Sequence, residues 1–128
     1  MRALEFGMGF LMRNREMHLG VFVLGTGNHI AGWRMEGAYD SFQSLSVIQD
    51  IARIAERGCF DLFFLGDTLS AGPNDHPSFT ARFEPLTMLG ALAATTSHIG
   101  LGATASTSFN EPFNVARLFA SLDHLSSG

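Results

Sequence analysis

Three polar side chains lie at the ends of apolar runs in the sequence. Asp67 follows the apolar run 60–65, and Thr104 and Ser106 lie at the end of the run 99–104. A carboxylate accepts hydrogen bonds from the N–H or O–H groups of a ligand, and a small hydroxyl can bond a carbonyl or nitrogen of a planar ring. Because side chains alternate along a strand, Thr104 and Ser106 share one side. All three residues are candidates for a small-molecule site.

The same residues have simpler interpretations. Asp67 can instead cap its own loop through Thr68 or Leu69, since short carboxylates commonly bond backbone groups in turns. Thr104 and Ser106 can instead form an ordinary polar strand terminus. The spacing of these residues leaves the alternatives open.

A glycine-rich loop after the first apolar run contributes two further candidates. Residues 25–30 (Gly-Thr-Gly-Asn-His-Ile) half-match the dinucleotide fingerprint, but Ile30 occupies the third glycine position and no helix opens at once. A flexible loop with glycines at positive φ is the better interpretation. His29 and Trp33 are its candidates: a histidine in such a loop is commonly solvated or structural, and the position after a strand makes a pocket role the alternative.

Other reactive residue types lack a supporting pattern. Asp75 and His76 have no third ligand at helical or strand spacing, so we predict no metal site. Asp123 and His124 are adjacent and would diverge by roughly 100° on a helix, which makes them a poor catalytic dyad. Cys59 precedes a strand at the end away from the candidate ligand face, where packing is the favoured role.

Composition limits the class of protein. The 128 residues are 46% hydrophobic, carry a net charge of −4 and include one cysteine. Without a basic cluster we expect no nucleic-acid partner, and without an apolar run of ~20 residues we expect no membrane insertion. A single cysteine allows no internal disulfide and favours a cytoplasmic protein. Residues 1–16 are interpreted as a dispensable leader or a misassigned start, or alternatively a docking segment, ahead of a folded part at 17–128.

Three β-rich runs alternate with three helical patterns. Their near-continuous apolar character predicts parallel strands covered on both faces. Asp40 with Gln43 fits a capping box, and Asn110 is a plausible cap of the last helix. The predicted strands are 19–24, 60–65 and 99–104. The first predicted helix begins at Asp40 or Ser41 and ends at Gly58, the second runs from Pro85 to near Ser97, and the third runs from near Pro112 to Gly128.

The order β-α-β-α-β-α is typical of two α/β architectures, an open doubly wound sheet and a (β/α)₈ barrel. Periodicity alone does not choose between them, and three units are too few for either. The loops 25–39 and 67–84 are long, whereas the helix-to-strand links at 58–59 and 97–98 are short. Because long strand-to-helix loops gather at the carboxyl ends of the strands, we expect function on that face.

Three stretches resemble one protein family. They are 57–67 (Arg-Gly-Cys-Phe-Asp-Leu-Phe-Phe-Leu-Gly-Asp), 29–34 (His-Ile-Ala-Gly-Trp-Arg) and the segment 109–125 that starts Phe-Asn-Glu-Pro-Phe-Asn. Together they make residues 17–128 similar to the bacterial-luciferase-like flavin monooxygenases. The match favours the branch of nitrilotriacetate monooxygenase component A and dibenzothiophene-sulfone monooxygenase.

The resemblance implies a (β/α)₈ TIM barrel, of which this chain covers about the first three β-α units. It implies an oxidoreductase of a two-component system, in which a flavin reductase supplies reduced FMN and one oxygen atom of O₂ enters a small organic substrate. It also implies that Asp67 and Thr104 contact the flavin, with Ser106 nearby. His29 and Trp33 would line the mouth near the ring or the substrate.

Family members are much longer than this chain. We therefore expect the phosphate-binding residues to lie beyond Gly128, the full-length form to be a homo-oligomer, and the isolated chain to be inactive. One alternative is an F420-dependent oxidoreductase of the same superfamily. Another is an inactive truncated fragment or an interaction module.

Overall fold

The computed structural model describes residues 16–24, 27, 29, 31–38, 44–70, 72 and 82–128. The predicted leader apart from Glu16, the predicted Asp40–Gln43 capping box and the Asp75–His76 pair lie outside these residues. The elements in chain order are β1 (Gly20–Val23), a short 3₁₀ turn (Gly32–Arg34), α1 (Leu45–Arg57), β2 (Leu62–Leu65), α2 (Pro85–Ala93), β3 (Gly100–Ala103) and α3 (Pro112–Ser126).

The three predicted strands form one parallel sheet in the order β1-β2-β3. The register aligns Val21 with Phe63 and Phe63 with Leu101. Each strand is one or two residues shorter at its ends than its apolar run, because the ends of a run pass into loops. Parallel strands joined by helices confirm the predicted β-α repeat.

The core lies between the sheet and the helices. Phe63, Leu89 and Leu92 are fully buried there, and α2 packs against β3. α1 contributes three buried residues to this core. The remaining buried hydrophobic residues of this core are Ile48, Ala52, Ala55, Met88, Ala93, Ile99 and Leu122.

The opposite face of the sheet is partly exposed among the described residues. Phe22 is 47% exposed and Leu62 39% exposed, and the Phe22 and Phe64 rings lie 5.6 Å apart on this face. Gly102 adds no side chain, and a Cβ there would lie 3.1 Å from Leu62 Cδ1.

The start of α1 and the end of α2 differ from the predicted positions, whereas α1 ends at its C-cap Gly58 as predicted. α1 begins at Leu45, later than predicted, because Ser44 is extended and forms the N-cap. α2 ends at Ala93 instead of near Ser97, and the Thr95 and Thr96 hydroxyls both donate to the Leu92 carbonyl at 3.0 Å. The link to β3 is therefore longer than predicted.

α3 starts at Pro112 as predicted, but its N-cap is Glu111 and not Asn110. The Asn110 side chain bonds the loop before the helix instead. At the other end the left-handed residue is Ser127 at φ 68°, and Gly128 follows at φ 106°.

α3 packs on α2. Its apolar residues are only partly buried, since Leu122 is buried whereas Leu118 and Leu125 are 47% and 66% exposed. No helix within the described ranges is long and apolar enough to cross a membrane.

Candidate functional site

The three polar residues predicted at strand ends line one groove. Asp67, Thr104 and Ser106 contribute to its wall, together with residues from the facing surfaces of α2 and α3. The groove has a volume of about 440 Å³ and opens at the carboxyl ends of β2 and β3. This is the end of a parallel α/β sheet at which ligands bind.

Backbone pairing continues past the strands and brings these ends together. Ala103 is aligned with Leu65, and the Thr104 amide donates to the Leu65 carbonyl at 3.0 Å. Thr104 therefore lies beside the turn that leads to Asp67. The sequence placed each residue at a strand end, and the register makes the two ends neighbours.

Asp67 is held by an arginine from the segment before α2. Its Oδ1 lies 3.7 Å from Nε of Arg82, and both side chains are largely buried. Arg82 Nη1 also donates to the Gly66 carbonyl at 3.1 Å. Neither Thr68 nor Leu69, both in the described part of the chain, donates to the Asp67 carboxylate, so the loop-capping alternative is not what this structure adopts.

The turn at Gly66 is closely packed. A Cβ on Gly66 would lie 2.8 Å from Cε2 of Phe22, so the Phe22 ring occupies the space that a side chain would need. With the ring on one side and Arg82 bonded to its carbonyl, Gly66 fixes the backbone immediately before Asp67.

Glu84 and Thr87 form part of the groove wall at the start of α2. The Glu84 carboxylate accepts from the Leu86 amide at 3.0 Å and from the Thr87 amide and hydroxyl at 2.7 Å. Burial raises the pKa of Glu84, but the bonds from Thr87 and Leu86 outweigh it and leave this pKa below its ordinary value. Glu84 thus caps α2 as a carboxylate.

Ser106 lies in the loop between β3 and α3, which a side-chain hydrogen bond closes. Its carbonyl accepts a 2.8 Å hydrogen bond from Nδ2 of Asn110, which replaces the helix-capping role predicted for Asn110. This hydrogen bond joins two residues of the loop that are four positions apart. It holds the part of the groove wall that carries the Ser106 hydroxyl.

His29 and Trp33 lie apart from this arrangement. The residues that line the groove do not include them. His29 Nδ1 accepts from the Ala31 amide at 3.2 Å, which is a local turn contact, and the Arg34 guanidinium lies 4.8 Å from the centre of the Trp33 ring. Their role at a pocket mouth stays a prediction.

The charges at the other end of the sheet make local contacts with one another and with the backbone. Asp61 Oδ2 accepts from the Leu19 amide at 2.7 Å, and its Oδ1 lies 3.1 Å from Nδ1 of His18. The hydrogen bond from His18, followed by that from Leu19, lowers the pKa of Asp61. Within the described residues no cluster of three or more His, Cys, Asp or Glu side chains is arranged to hold a metal ion.

Sequence reasoning missed two residues at the groove, Arg82 and Glu84. Glu84 had a readable signal, because it directly precedes Pro85 at the first helical position. Arg82 had none, since its partners lie 15 and 16 residues earlier in the chain and no periodicity links them.

The groove combines two carboxylates, those of Asp67 and Glu84, with several hydroxyls and apolar side chains. Asp67 can accept from an N–H group, and Thr104 and Ser106 can donate to carbonyl or ring nitrogen atoms. Leu69 and Leu86 supply apolar surface beside them. This set suits a planar heteroaromatic ligand with alternating donor and acceptor edges.

Comparison with known proteins identifies the family of this chain. The sequence profile described as luciferase-like monooxygenase matches residues 17–128. N-acetyl-S-(2-succino)cysteine monooxygenase of Bacillus subtilis (strain 168) is 51% identical over 91% of the chain. Nitrilotriacetate monooxygenase component A of Aminobacter aminovorans is 40% identical over 90% of it. The chain spans only 26% and 28% of these two relatives.

Solved structures show the same arrangement of elements. EDTA monooxygenase (EmoA) from Chelativorans sp. BNC1 superimposes with a TM-score of 0.78 at 32% identity, and riboflavin lyase (RcaE) with modified FMN and substrate riboflavin with 0.72 at 29%. Each comparison covers 89% of this chain and 28% of the other. The three β-α units are thus one part of a luciferase-like TIM barrel, which resolves the choice between barrel and open sheet.

Proposed function

The chain belongs to the luciferase-like monooxygenase family, and from this we propose that it forms part of the flavin site of a two-component FMN-dependent monooxygenase. In this proposal a flavin reductase supplies reduced FMN, and the protein directs one oxygen atom of O₂ into a small organic substrate. The relative named component A supports a partner protein, and the neighbour solved with modified FMN supports the choice of flavin. The whole protein is proposed to act in the cytoplasm as a homo-oligomer.

The observation that carries the proposal is the meeting of Asp67 and Thr104 in one groove at the carboxyl ends of neighbouring strands. A flavin ring presents N–H and carbonyl groups along one edge. The Asp67 carboxylate fits the N–H, and the Thr104 hydroxyl fits a carbonyl, so the donor set in the groove suits this ring.

Each residue has a defined part in the proposal. The flavin, when bound, supplies the reaction with O₂. Asp67 and Thr104 bind and orient the ring edge, Ser106 adds a nearby hydroxyl, and His29 and Trp33 lie toward the mouth. Phosphate-binding residues are proposed to come from outside this chain.

An anaerobic titration of the full-length protein with reduced FMN tests the proposal. Saturable binding, followed by O₂ consumption when a flavin reductase and NADH are added, is the expected result. Binding of reduced F420 without binding of FMN would instead favour the hydride-transfer alternative. Absence of binding to either cofactor would refute the proposal in favour of a fragment without catalytic function.

A further inference from the structure

Arg82 joins the end of β2 to the start of α2. Its guanidinium directs Nε toward Asp67 Oδ1 at 3.7 Å and Nη1 toward the Gly66 carbonyl at 3.1 Å. The Arg82 side chain is only 17% exposed. One side chain therefore holds both the backbone and the carboxylate at the groove.

The position of Arg82 is itself fixed by the helix that follows. Glu84 caps α2 through the Leu86 and Thr87 amides, and Pro85 is fully buried at the first helical position. Arg82 lies two residues before that cap. The capped start of α2 therefore fixes the backbone close to Arg82, and with it the position from which the guanidinium extends.

The contact forms at the turn after β2. Asp67 lies two residues beyond Leu65, and its carboxylate meets Arg82 from the segment before α2. Without a partner there, the carboxylate would have several rotamers open to it.

The chemistry requires an arginine. A guanidinium presents several N–H donors in one rigid plane, so it can serve the Gly66 carbonyl and the Asp67 carboxylate together. A lysine ammonium carries the same charge on a flexible stem and lacks the fixed fork.

We propose that Arg82 is a positioning residue that orients Asp67 for contact with the flavin ring, acting through Asp67 and the Gly66 backbone. This rests on the proposed function, in which Asp67 contacts the flavin. Arg82 sets the affinity for reduced FMN and leaves the affinity for the organic substrate nearly unchanged.

A double-mutant cycle in the full-length protein tests the coupling. Asp67→Asn, Arg82→Ala and the double variant are titrated anaerobically with reduced FMN. Each single variant is expected to weaken binding roughly tenfold, and the double variant roughly tenfold as well, because Arg82 acts on the flavin only through Asp67 and has no separate contribution once the Asp67 contact is weakened. Arg82→Lys is expected to fall between wild type and Arg82→Ala.

Arg53→Ala is the matched control. Arg53 pairs with Asp50 at 3.1 Å on the exposed surface of α1. The substitution therefore removes an arginine–aspartate pair that lies away from the groove. Its FMN affinity is expected to equal that of wild type. The KM for the substrate, measured with saturating FMN, is expected to stay within about twofold in Arg82→Lys, because the role is confined to the flavin side.

The outcomes separate the two proposals. A wild-type protein that does not bind reduced FMN refutes the proposed function, and the role of Arg82 with it. Wild-type binding with a roughly hundredfold loss in the double variant, or with unchanged affinity in Arg82→Ala, overturns the role of Arg82 alone. If Arg82→Ala does not fold, Arg82→Gln replaces it in both the single and the double variant, and the same affinity outcomes decide.

Discussion

Oε1 of Glu56 lies 2.6 Å from the backbone nitrogen of His98, at the end of the sheet opposite the groove. The same oxygen accepts from the amides of Ser97 at 2.7 Å and Ile99 at 3.1 Å. One carboxylate from α1 thus satisfies three consecutive amides just before β3. It ties the start of β3 to the helix that precedes β2.

Replacing Glu56 by alanine is expected to destabilise the protein by about 1–2 kcal/mol, because three amides lose a charged acceptor and turn to water. Urea unfolding of the purified protein measures this. Glu36→Ala, in an exposed turn, is the control and should change the free energy of unfolding by less than about 0.5 kcal/mol. Equal effects of the two substitutions would show that the tie contributes nothing.

Stability is expected to fall as the pH drops toward 4. The bonds from His98 and then Ser97 lower the pKa of Glu56, and the bonds at Glu84 outweigh burial and lower its pKa as well. A carboxyl whose pKa is lower when folded stabilises the fold above its unfolded pKa of 4.5 and loses that contribution as the pH falls through its folded pKa.

Melting temperatures between pH 7 and pH 3 check this expectation. The curve should be flat down to about pH 5 and decline below it. In the double variant Glu56→Gln, Glu84→Gln the decline should be shallower, since these positions no longer titrate. An unchanged slope in that variant would place the acid sensitivity elsewhere.

Glu84→Ala should destabilise α2 and cost about 1 kcal/mol, because the Leu86 and Thr87 amides lose their cap. Glu111→Ala is the matched control, since Glu111 also precedes a proline at a helix start but its side chain forms no capping bond. Thermal unfolding of both variants gives the comparison. Equal losses would mean that the Glu84 cap is not what stabilises the helix start.

Two glycines should respond in opposite directions to alanine. A Cβ on Gly100 would lie 2.8 Å from the Asp61 carbonyl oxygen, which belongs to the backbone and cannot turn aside, so Gly100→Ala should cost about 1–3 kcal/mol. Gly90 in α2 has no heavy atom within 4 Å of that position, and alanine there should stabilise by about 0.5–1 kcal/mol. Differential scanning calorimetry gives both signs, and a stable Gly100→Ala would contradict the close approach.

Asp67→Asn should weaken reduced FMN binding about tenfold, since an amide is a poorer acceptor for a ring N–H than a carboxylate. Asp61→Asn is the control, because Asp61 lies at the other end of β2 and bonds Leu19 and His18. It should lower the melting temperature and leave the flavin affinity unchanged. Equal effects on affinity would argue that Asp67 acts only through folding.

The local features of the fold could be predicted from the sequence. Strand runs, helix patterns and the loop asymmetry depend on neighbouring residues, so the sequence could place Asp67, Thr104 and Ser106 at strand ends. In the structure the three residues line one groove. Helix ends were less predictable. The α2 terminus depends on two threonine hydroxyls that compete for the Leu92 carbonyl, and Asn110 bonds Ser106 although its type and position suited a cap.

The sequence by itself determined the parallel β-α repeat, the family and the face that carries the candidate site, because periodicity and strand alternation are properties of adjacent residues. Only the tertiary structure decided that Arg82 holds Asp67, that Glu56 ties down Ile99 and that Phe22 lies over Gly66. The bond from Glu56 to Ile99 spans 43 residues. Contacts at such separations depend on strand register and on where each helix packs, and these are set by the whole fold.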